Sequence, residues 1–269
     1  MKVEEFMNLI NYSPLAIQTY YKMQVSEPEY LAAKRDYYVD EDKFLNDLKN
    51  KMQENYYPAL LFYFTKFASE LCDGYLQRGF TLSQFIDTFS DLKTWNEMCI
   101  LETGICGLRE TGWLTSHMHS GIVRLGRLQF QPDTVEEDIC LKNSVIKKGT
   151  PILNVHIPFG GAMSVQEVSH SFVLAKQHFG EKYVHIESWL LDPTLKNYLP
   201  QNSNILSFAS RFELYKTEES NSIERFIFRV VKENKADYEA NTSFAKTVKQ
   251  ELLKGTKFYS GYAVTTTNG

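Results

Sequence analysis

The chain has 269 residues, which is enough for one large domain or two ordinary ones. Hydrophobic residues make up 43% of it and charged residues 23%, which is typical of globular proteins and not of disordered ones. The formal net charge of −4, with acids and bases interspersed, argues against a general nucleic-acid binder, because such a protein needs a basic face.

The first part of the chain has the residue spacing of helices. From Val3 to about Leu108, apolar residues recur three and four positions apart. Ser13 followed by Pro14 indicates a helix start, since serine caps free amides and proline fits the first turn. Tyrosine and phenylalanine are frequent here, and we expect them to pack between helices. The sequence therefore predicts a helical N-terminal domain over residues 1–115.

After about residue 115, alternation of apolar and polar residues predicts strands. The segment GIVRLGRLQFQP changes parity near Gly126, which indicates a bulge or a local bend. PILNVHIP and YVHIESWLL are clear strands. Between them, MSVQEVSHSFVLAKQHFG has the pattern of an amphipathic helix, with Ser164 as its cap and Glu167 completing a capping box. A strand–helix–strand unit of this length predicts two parallel strands.

The remaining segments complete the predicted order of elements. RFELYKT and SIERFIFRVV predict a hairpin around EESN, TSFAKTVKQELLK predicts a last helix, and the residues from Gly261 onward read as a frayed tail. The order is strand, strand, strand, helix, strand, helix, strand, strand. This order predicts an α+β fold, with a mixed β-sheet domain flanked by helices over residues 116–269.

Four phrases of the chain resemble one divergent branch of the GNAT acyltransferases, named as N-acyltransferases. The phrases are RLGRLQF, HIPFGGAMS, SWLLDP and NSNILSFASRF. In that branch a helical N-terminal domain is joined to a GNAT-like C-terminal domain, so the resemblance implies the same architecture here. It also implies an enzyme that transfers an acyl group, with acetyl as the expected group, to an amine. Acetyl-CoA or another acyl-CoA would be the co-substrate, no metal is expected, and the acceptor would be a small-molecule or peptide amine.

The resemblance further implies a loop that binds coenzyme A. In GNAT enzymes the loop after the fourth strand reads Gln/Arg-x-x-Gly-x-Gly/Ala, and its backbone amides hold the pyrophosphate at a helix N-terminus. Here Gly160 and Ala162 match, whereas Ile157 replaces Gln or Arg and Pro158 lacks an amide donor. The implied coenzyme A-binding residues are Ile157, Gly160, Gly161, Ala162, Met163 and Ser164.

Catalysis in this fold takes place where the fourth and fifth strands splay apart around the thioester. The matching strands are Pro151–Ile157 and Tyr183–Leu191, which should be parallel, diverge toward their carboxyl ends and open a cavity there. The candidate catalytic residues on them are His156, His185 and Glu187. His185 and Glu187 are two positions apart and should share a face, and a histidine near a carboxylate can accept a proton. The tyrosine that many GNAT enzymes use as an acid has no counterpart in SNILSFASRF.

Two other functions stay open at the level of the sequence. One is a catalytically inactive GNAT-like protein that binds a ligand or a partner. The other is a histidine-based metal-binding β-domain, since His117 and His119 form an H-x-H pattern that would place both imidazoles on one face of a strand. Cupin-like sites add a glutamate soon after this pattern, and HMHSGIVRLG contains none.

Cysteine usage and apolar segments indicate the compartment. The four cysteines form no CxxC pair, so neither a zinc finger nor a disulfide framework is expected, and a reducing cytoplasm fits. MKVEEFMNLI lacks the pattern of a secretory signal, and no apolar run approaches the length of a membrane span. We expect a cytoplasmic protein with neither nucleic acid nor membrane as a partner. The sequence makes no prediction of the oligomeric state.

Overall fold

The structure, a computed structural model, describes residues 1–268 and divides the chain into two compact units, Met1–Arg124 and Leu125–Gly269. The first unit is helical and the second combines a mixed sheet with helices, which confirms the predicted fold class. Residue 115, the predicted end of the helical domain, lies inside the last helix of the first unit. Within residues 1–268, no helix combines the length and the apolar character that crossing a bilayer requires.

The first unit is built around one buried helix. Its helices are α1 Val3–Leu9, α2 Pro14–Lys22, α3 Glu27–Val39, α4 Glu41–Met52, α5 Tyr56–Glu70, α6 Cys72–Gln77, α7 Leu82–Phe89, α8 Asp91–Thr103 and α9 Thr111–Met118. Helix α5 is buried around most of its surface and packs against α1, α2 and α4, so it forms the centre of the unit. Ser13 caps α2 as predicted, with Pro14 in the first turn. Tyrosines also pack as predicted, for example Tyr37, whose ring centroid lies 5.2 Å from that of Phe67.

The second unit contains the main sheet from β2 onward, and the short first strand, β1 Val123–Leu125, includes the boundary between the units. The other strands are β2 Leu128–Thr134, β3 Ile139–Cys140, β4 Val145–Ile146, β5 Pro151–His156, β6 Tyr183–Ser188, β7 Glu213–Glu219 and β8 Tyr259–Thr266. The helices are α10 Val165–Phe179, α11 Asn204–Ala209, α12 Ser222–Phe228 and α13 Ser243–Leu253. The sheet order is β1-β2-β5-β6-β8-β7, and β3 and β4 form a separate small sheet. Strands β5 and β6 are parallel, as predicted, while β2 is antiparallel to β5 and β8 to both β6 and β7.

Helix α10 connects the two parallel strands and covers one face of the sheet. Phe172 is buried, and its ring meets that of Phe130 on β2 edge-on, with centroids 6.0 Å apart. Ser164 caps the helix as predicted, since its Oγ accepts the Glu167 amide at 3.2 Å. The carboxylate of Glu167 accepts from the Ser164 hydroxyl at 2.7 Å. The predicted capping box needs a bond from the Ser164 amide to that carboxylate, so only half of it forms.

The segment after β7 is a helix and not a strand. Residues Ser222–Phe228 form α12, and β7 pairs with β8, so the predicted hairpin of RFELYKT and SIERFIFRVV is wrong. The physical reason is the spacing of the buried side chains. Ile223 and Ile227 lie four positions apart and join one apolar cluster with Leu195 and Val248, which favours a helix over an alternating strand.

Most of the predicted frayed tail, which was expected from Gly261 onward, is a strand. Residues up to Thr266 belong to β8, which lies between β6 and β7, and Ala263 and Val264 are buried there, while Gly269 lies outside the described residues. A Cβ atom at Gly261 would lie 2.7 Å from Cβ of Leu191, so only glycine allows the two segments to approach so closely. The polar threonines near the end of this strand hid its central position in the sequence.

Two predicted strand segments also differ from the structure. Strand β6 ends at Ser188, and Trp189–Leu191 form a 3-10 turn in which the Leu190 amide donates to Ser188 Oγ at 3.2 Å. Gly126 has a φ of +69° and lies in the short turn that joins β1 to β2, so the predicted bulge or bend is a hairpin turn.

Candidate functional site

Strands β5 and β6 pair over only part of their length. The pairing starts at Ile152 and ends where Asn154 lies opposite His185, and no further pair follows among the residues that the structure describes. Strand β5 nevertheless stays paired with β2 as far as His156, and β6 stays paired with β8 as far as Ser188. The two parallel strands therefore diverge toward their carboxyl ends, which confirms that expectation. Ligands of open α/β sheets bind at such a place; the cavity itself stays a prediction.

The loop Ile157–Ser164 leaves β5 at this divergence and surrounds the side chain of Arg127. The guanidinium donates to the carbonyl of Pro158 at 3.0 Å and to that of Ala162 at 3.1 Å. A third contact, to the carbonyl of Gly161, is longer at 3.5 Å. Arg127 is only 8% exposed. Because a guanidinium presents its donors in a rigid planar fork, one side chain fixes the carbonyls at both ends of the loop.

The turn that carries Arg127 is itself attached to helix α10. The Oγ atom of Ser171 accepts hydrogen bonds from the amides of Arg127 at 2.8 Å and Leu128 at 3.3 Å, and it donates to the Glu167 carbonyl at 3.0 Å. A Cβ atom at Gly126 would lie 3.0 Å from the same Oγ, so the glycine permits this close packing. Turn, helix and loop are thus tied together by one buried serine and one buried arginine.

With these carbonyls turned toward Arg127, the loop amides remain available as donors. Within residues 1–268, the amides from Gly160 to Gln166 have no hydrogen-bond acceptor, and the next amide, that of Glu167, donates to Ser164 Oγ. Gly160 and Gly161 are exposed, with φ of +76° and +73°. Free N–H groups that continue into the first turn of a helix, with its dipole behind them, form an anion-binding site.

The loop is also held through its aromatic residue. The Phe159 ring lies with its centroid 5.2 Å from that of Phe226, and the Arg229 guanidinium lies 4.1 Å from the Phe159 centroid. Arg229 ends α12 with a φ of +65°. The cation–π contact and the ring contact fix the loop against α12, as Arg127 fixes it against the β1–β2 turn. A loop fixed at two places loses little conformational entropy when it binds a ligand.

A chain of four polar side chains crosses one face of the sheet where β5 and β6 separate. Asn154 Nδ2 donates to the Asp133 carboxylate at 2.7 Å, and His185 Nδ1 lies 2.9 Å from Asn154 Oδ1. Nε2 of His185 lies 3.0 Å from the hydroxyl of Tyr215. The carboxylate can only accept, so Asn154 must donate to it and accept from Nδ1–H of the histidine. Nε2 of neutral His185 then accepts a hydrogen bond from the Tyr215 hydroxyl.

Burial sets the protonation states of the two inner groups. It lowers the pKa of His185, and the charge of Asp133 opposes this only in part. Burial also raises the pKa of Tyr215. The charge of Lys216 lowers this pKa and the charge of Glu187 raises it, both by less than burial does. At neutral pH the site therefore holds a neutral imidazole next to a protonated phenol.

The three candidate catalytic residues lie on two strands. His185 and Glu187 are two positions apart on β6, where His185 is half-buried in the polar chain and Glu187 is exposed. Glu187 lies opposite Tyr262 of β8. His156 ends β5, and its Nε2 lies 3.0 Å from Gln131 Oε1 on β2. The structure thus brings Glu187 next to the polar chain and connects His156 to the neighbouring strand.

The sequence patterns do not point to the roles of Arg127, Asp133 or Tyr215. For Arg127 the available local signal is the glycine of LGRL, which favours a tight turn at that place. Tyr215 lies at a bulge of β7, between Leu214 and Lys216, which lie opposite consecutive residues of β8. A bulge redirects a side chain, and strand alternation alone does not show it. Asp133 carries no signal in the sequence.

The H-x-H pattern does not lie on a strand. His117 belongs to helix α9 and is buried with its Nε2 3.3 Å from the Asp91 carboxylate. His119 follows the helix and contacts Glu41 at 2.8 Å. The predicted strand is wrong because TGWLTSHM forms a helix that packs its histidine inward. Across the described residues 1–268, no group of three or more His, Cys, Asp or Glu side chains is arranged to hold a metal ion.

Two family models together match most of the chain. A family model described as N-acyltransferase N-terminal domain matches residues 1–120, and one described as GNAT-like C-terminal domain matches residues 122–265. A comparison with curated proteins gives no significant match.

Solved structures share the fold at low sequence identity. One is an acyltransferase in complex with decanoyl-CoA and teicoplanin, at 20% identity and a TM-score of 0.77, with 98% of this chain and 87% of that chain covered. Another is an acyltransferase mutant in complex with octanoyl-CoA, at 19% identity and a TM-score of 0.78, with the same coverage of 98% and 87%.

Proposed function

Because the chain belongs to the family that joins an N-acyltransferase N-terminal domain to a GNAT-like C-terminal domain, we propose that it is an acyl-CoA-dependent N-acyltransferase. The observation that carries this proposal is the run of donor amides from Gly160 to Gln166, next to the diverging ends of β5 and β6. The amides suit the pyrophosphate of coenzyme A, and the gap between the strands suits its thioester arm.

The proposed binding loop comprises Ile157, Gly160, Gly161, Ala162, Met163 and Ser164. The arginine or glutamine expected at position 157 is absent, and Arg127 supports a different arrangement. Its guanidinium binds the carbonyl oxygens of the loop, whereas the arginine or glutamine of the usual pattern would contact the phosphate itself. The loop then binds the anion through backbone amides alone.

The chemistry needs an oriented donor and a base for the amine proton. We assign the base to His185, since its imidazole is neutral at neutral pH and lies where the strands separate. Glu187, exposed on the same strand, offers a negative charge that attracts the ammonium form of an acceptor. His156, hydrogen-bonded to Gln131 at the end of β5, is the remaining candidate near the thioester.

Acyl group and acceptor follow from the reaction class. Acetyl is the expected acyl group from the resemblance, while the structural neighbours were solved with octanoyl- and decanoyl-CoA. The donors to be tested therefore run from acetyl- to decanoyl-CoA. The acceptor is a small-molecule or peptide amine, and one neighbour was solved with teicoplanin. Suitable first acceptors are an alkylamine, an amino sugar and a short peptide with a free N-terminus.

The test separates the anion site from the fold. Gln166→Glu adds a negative charge in the first turn of α10 without changing the shape of the side chain. The helix dipole stabilises a negative charge at this position, so the melting temperature should not fall. Coenzyme A should bind about five- to tenfold more weakly, because repulsion between the two negative charges costs about 1 kcal/mol. Gln177→Glu, exposed near the other end of the same helix, is the matched control and should leave coenzyme A binding unchanged.

Calorimetry with coenzyme A measures binding, and the thioester absorbance of each acyl-CoA measures transfer to the three amines. A thiol-reactive dye is less suitable, because Cys140 is exposed. Binding without turnover by the wild-type protein would support the inactive GNAT-like alternative. No binding of coenzyme A or of any acyl-CoA would refute the proposal.

A further inference from the structure

Tyr215 is the one partly buried residue of β7, among otherwise exposed neighbours. The register of β7 against β8 shifts between Leu214 and Lys216, which leaves Tyr215 as the extra residue of a bulge. Its side chain reaches across β8 and places its hydroxyl 3.0 Å from Nε2 of His185 on β6. Bulges often redirect a side chain toward a functional site.

The contact leaves His185 with neither ring nitrogen free to bond a substrate directly. Nδ1 is taken by Asn154, and Nε2 is taken by the hydroxyl of Tyr215. A base with both nitrogens occupied receives a proton only through one of its partners. Asn154 is held by the Asp133 carboxylate and has no proton-accepting role left, so the route runs through the phenol.

We propose that Tyr215 is a catalytic residue that passes the amine proton to His185. This inference rests on the proposed acyl transfer. The bound ammonium first releases one proton to solvent. As the nitrogen of the resulting neutral amine bonds to the acyl carbon, its next proton moves to Oη of Tyr215, and the hydroxyl proton of Tyr215 moves to Nε2 of His185. The carbon–sulfur bond breaks and coenzyme A leaves as the thiolate. Charge and protons balance: the proton lost by the amine resides on the imidazolium, and the phenol is regenerated.

Asn154 and Asp133 act as positioning residues in this scheme. The carboxylate orients the amide, and the amide oxygen holds the proton of His185 on Nδ1, so that Nε2 is the basic atom. Because Asn154 opposite His185 is the last pair between β5 and β6, the relay begins where the gap for the thioester begins.

The test uses Tyr215→Phe, which keeps the ring and removes only the hydroxyl. We expect kcat to fall about 100-fold, the lower end of the range for general acid–base catalysis, with KM for octanoyl-CoA within about twofold of wild type. The control is Tyr183→Phe on β6, an exposed tyrosine at the end where the strands are paired, and it should keep kcat.

Two further readouts distinguish a relay from a structural role. In the pH profile of the wild type, kcat should rise with pH as the Tyr215–His185 pair loses a proton. This rising part of the profile should be absent in Tyr215→Phe. His185→Gln should lose as much activity as Tyr215→Phe, and the double variant should be no slower than either single one, since both act in one step.

Three outcomes would overturn the relay. One is a Tyr215→Phe variant with kcat within about threefold of wild type and an unchanged rise of kcat with pH. Another is a double variant in which the two losses multiply. The third is a loss of kcat that accompanies a lowered melting temperature and lost coenzyme A binding, which would make the tyrosine structural. A wild-type protein that consumes no acyl-CoA refutes the proposed function itself, and the relay with it.

Discussion

Replacing Arg127 by methionine should weaken coenzyme A binding through the shape of the loop alone. Two of its loop bonds are short, 3.0 Å to Pro158 and 3.1 Å to Ala162, and the third, at 3.5 Å, contributes little. A hydrogen bond from a charged donor contributes about 1.5–3 kcal/mol, so the two short ones together hold the loop by about 3–6 kcal/mol. Removing a nearly buried charge returns part of its desolvation cost, which favours the lower value of about 3 kcal/mol.

In the methionine variant, coenzyme A must order the loop when it binds, so the binding free energy falls by about the 3 kcal/mol that Arg127 supplied. At 1.4 kcal/mol per factor of ten, the dissociation constant of Arg127→Met should rise up to about 100-fold. Arg127→Lys keeps the charge but replaces the fork by a single point donor, so we expect a rise of about tenfold. Titration calorimetry with coenzyme A gives both numbers, and thermal melts of the same samples show how much of the change lies in folding.

The order of the three proteins in coenzyme A affinity is as informative as the size of the effect. Wild type should bind best, the lysine variant next and the methionine variant worst. A methionine variant that binds coenzyme A within twofold of wild type would refute the idea that Arg127 pre-forms the loop. A lysine variant that binds worse than methionine would show that charge matters in a way that the loop bonds do not explain.

Three further predictions concern stability. Gly261→Ala should destabilise the protein by more than about 2 kcal/mol in denaturant titrations, because the new Cβ would lie 2.7 Å from Leu191. The control is Gly74→Ala, within a helix and with no atom inside 4 Å of the new Cβ, which should be neutral or stabilising by up to about 1 kcal/mol. Equal effects of the two substitutions would contradict the packing of β8. Burial raises the pKa of Tyr38 to about 12, above its value of about 10 in an unfolded chain. The contribution of this tyrosine to the free energy of unfolding is therefore complete below pH ~10 and lost as pH rises through ~12. Urea midpoints that stay flat from pH ~9 to ~12 would contradict this. Burial lowers the pKa of His185, so the folded state binds its proton less readily than the unfolded chain and stability should decline as pH falls below about 6.5; His185→Gln should have a shallower decline, and identical slopes would count against it.

The unit β5–α10–β6 was predictable because its signals are local. The cap at Ser164 and the glycine at Gly180, which ends α10 with a φ of +74°, delimit the helix, and branched apolar residues delimit the strands. The parallel pairing followed from the length of the crossover. The divergence of the strands came from the family resemblance and not from residue pattern, since nothing in either strand alone shows where pairing stops.

The polar chain and the Arg127 contacts were not predictable from one sequence. Asp133, Asn154, His185 and Tyr215 lie on four different strands, and only the sheet order and the bulge at Tyr215 bring them into line. Each of these depends on non-local pairing, which single-residue preferences do not encode. The same holds for α12, where a β-like composition was overridden by an apolar cluster from distant segments.

The position of β8 constrains the order in which the sheet can assemble during synthesis. This strand follows β7 in the chain and yet separates β7 from β6, so β7 has no strand of the main sheet to pair with until residues 259–266 have left the ribosome. A nascent chain that has emerged only as far as β7 exposes the unpaired edge of β6, with apolar Val184 and Ile186 on one of its faces. Such an edge is prone to pair with other chains, so we expect co-translational chaperone contact to concentrate on the interval between the emergence of β6 and that of β8.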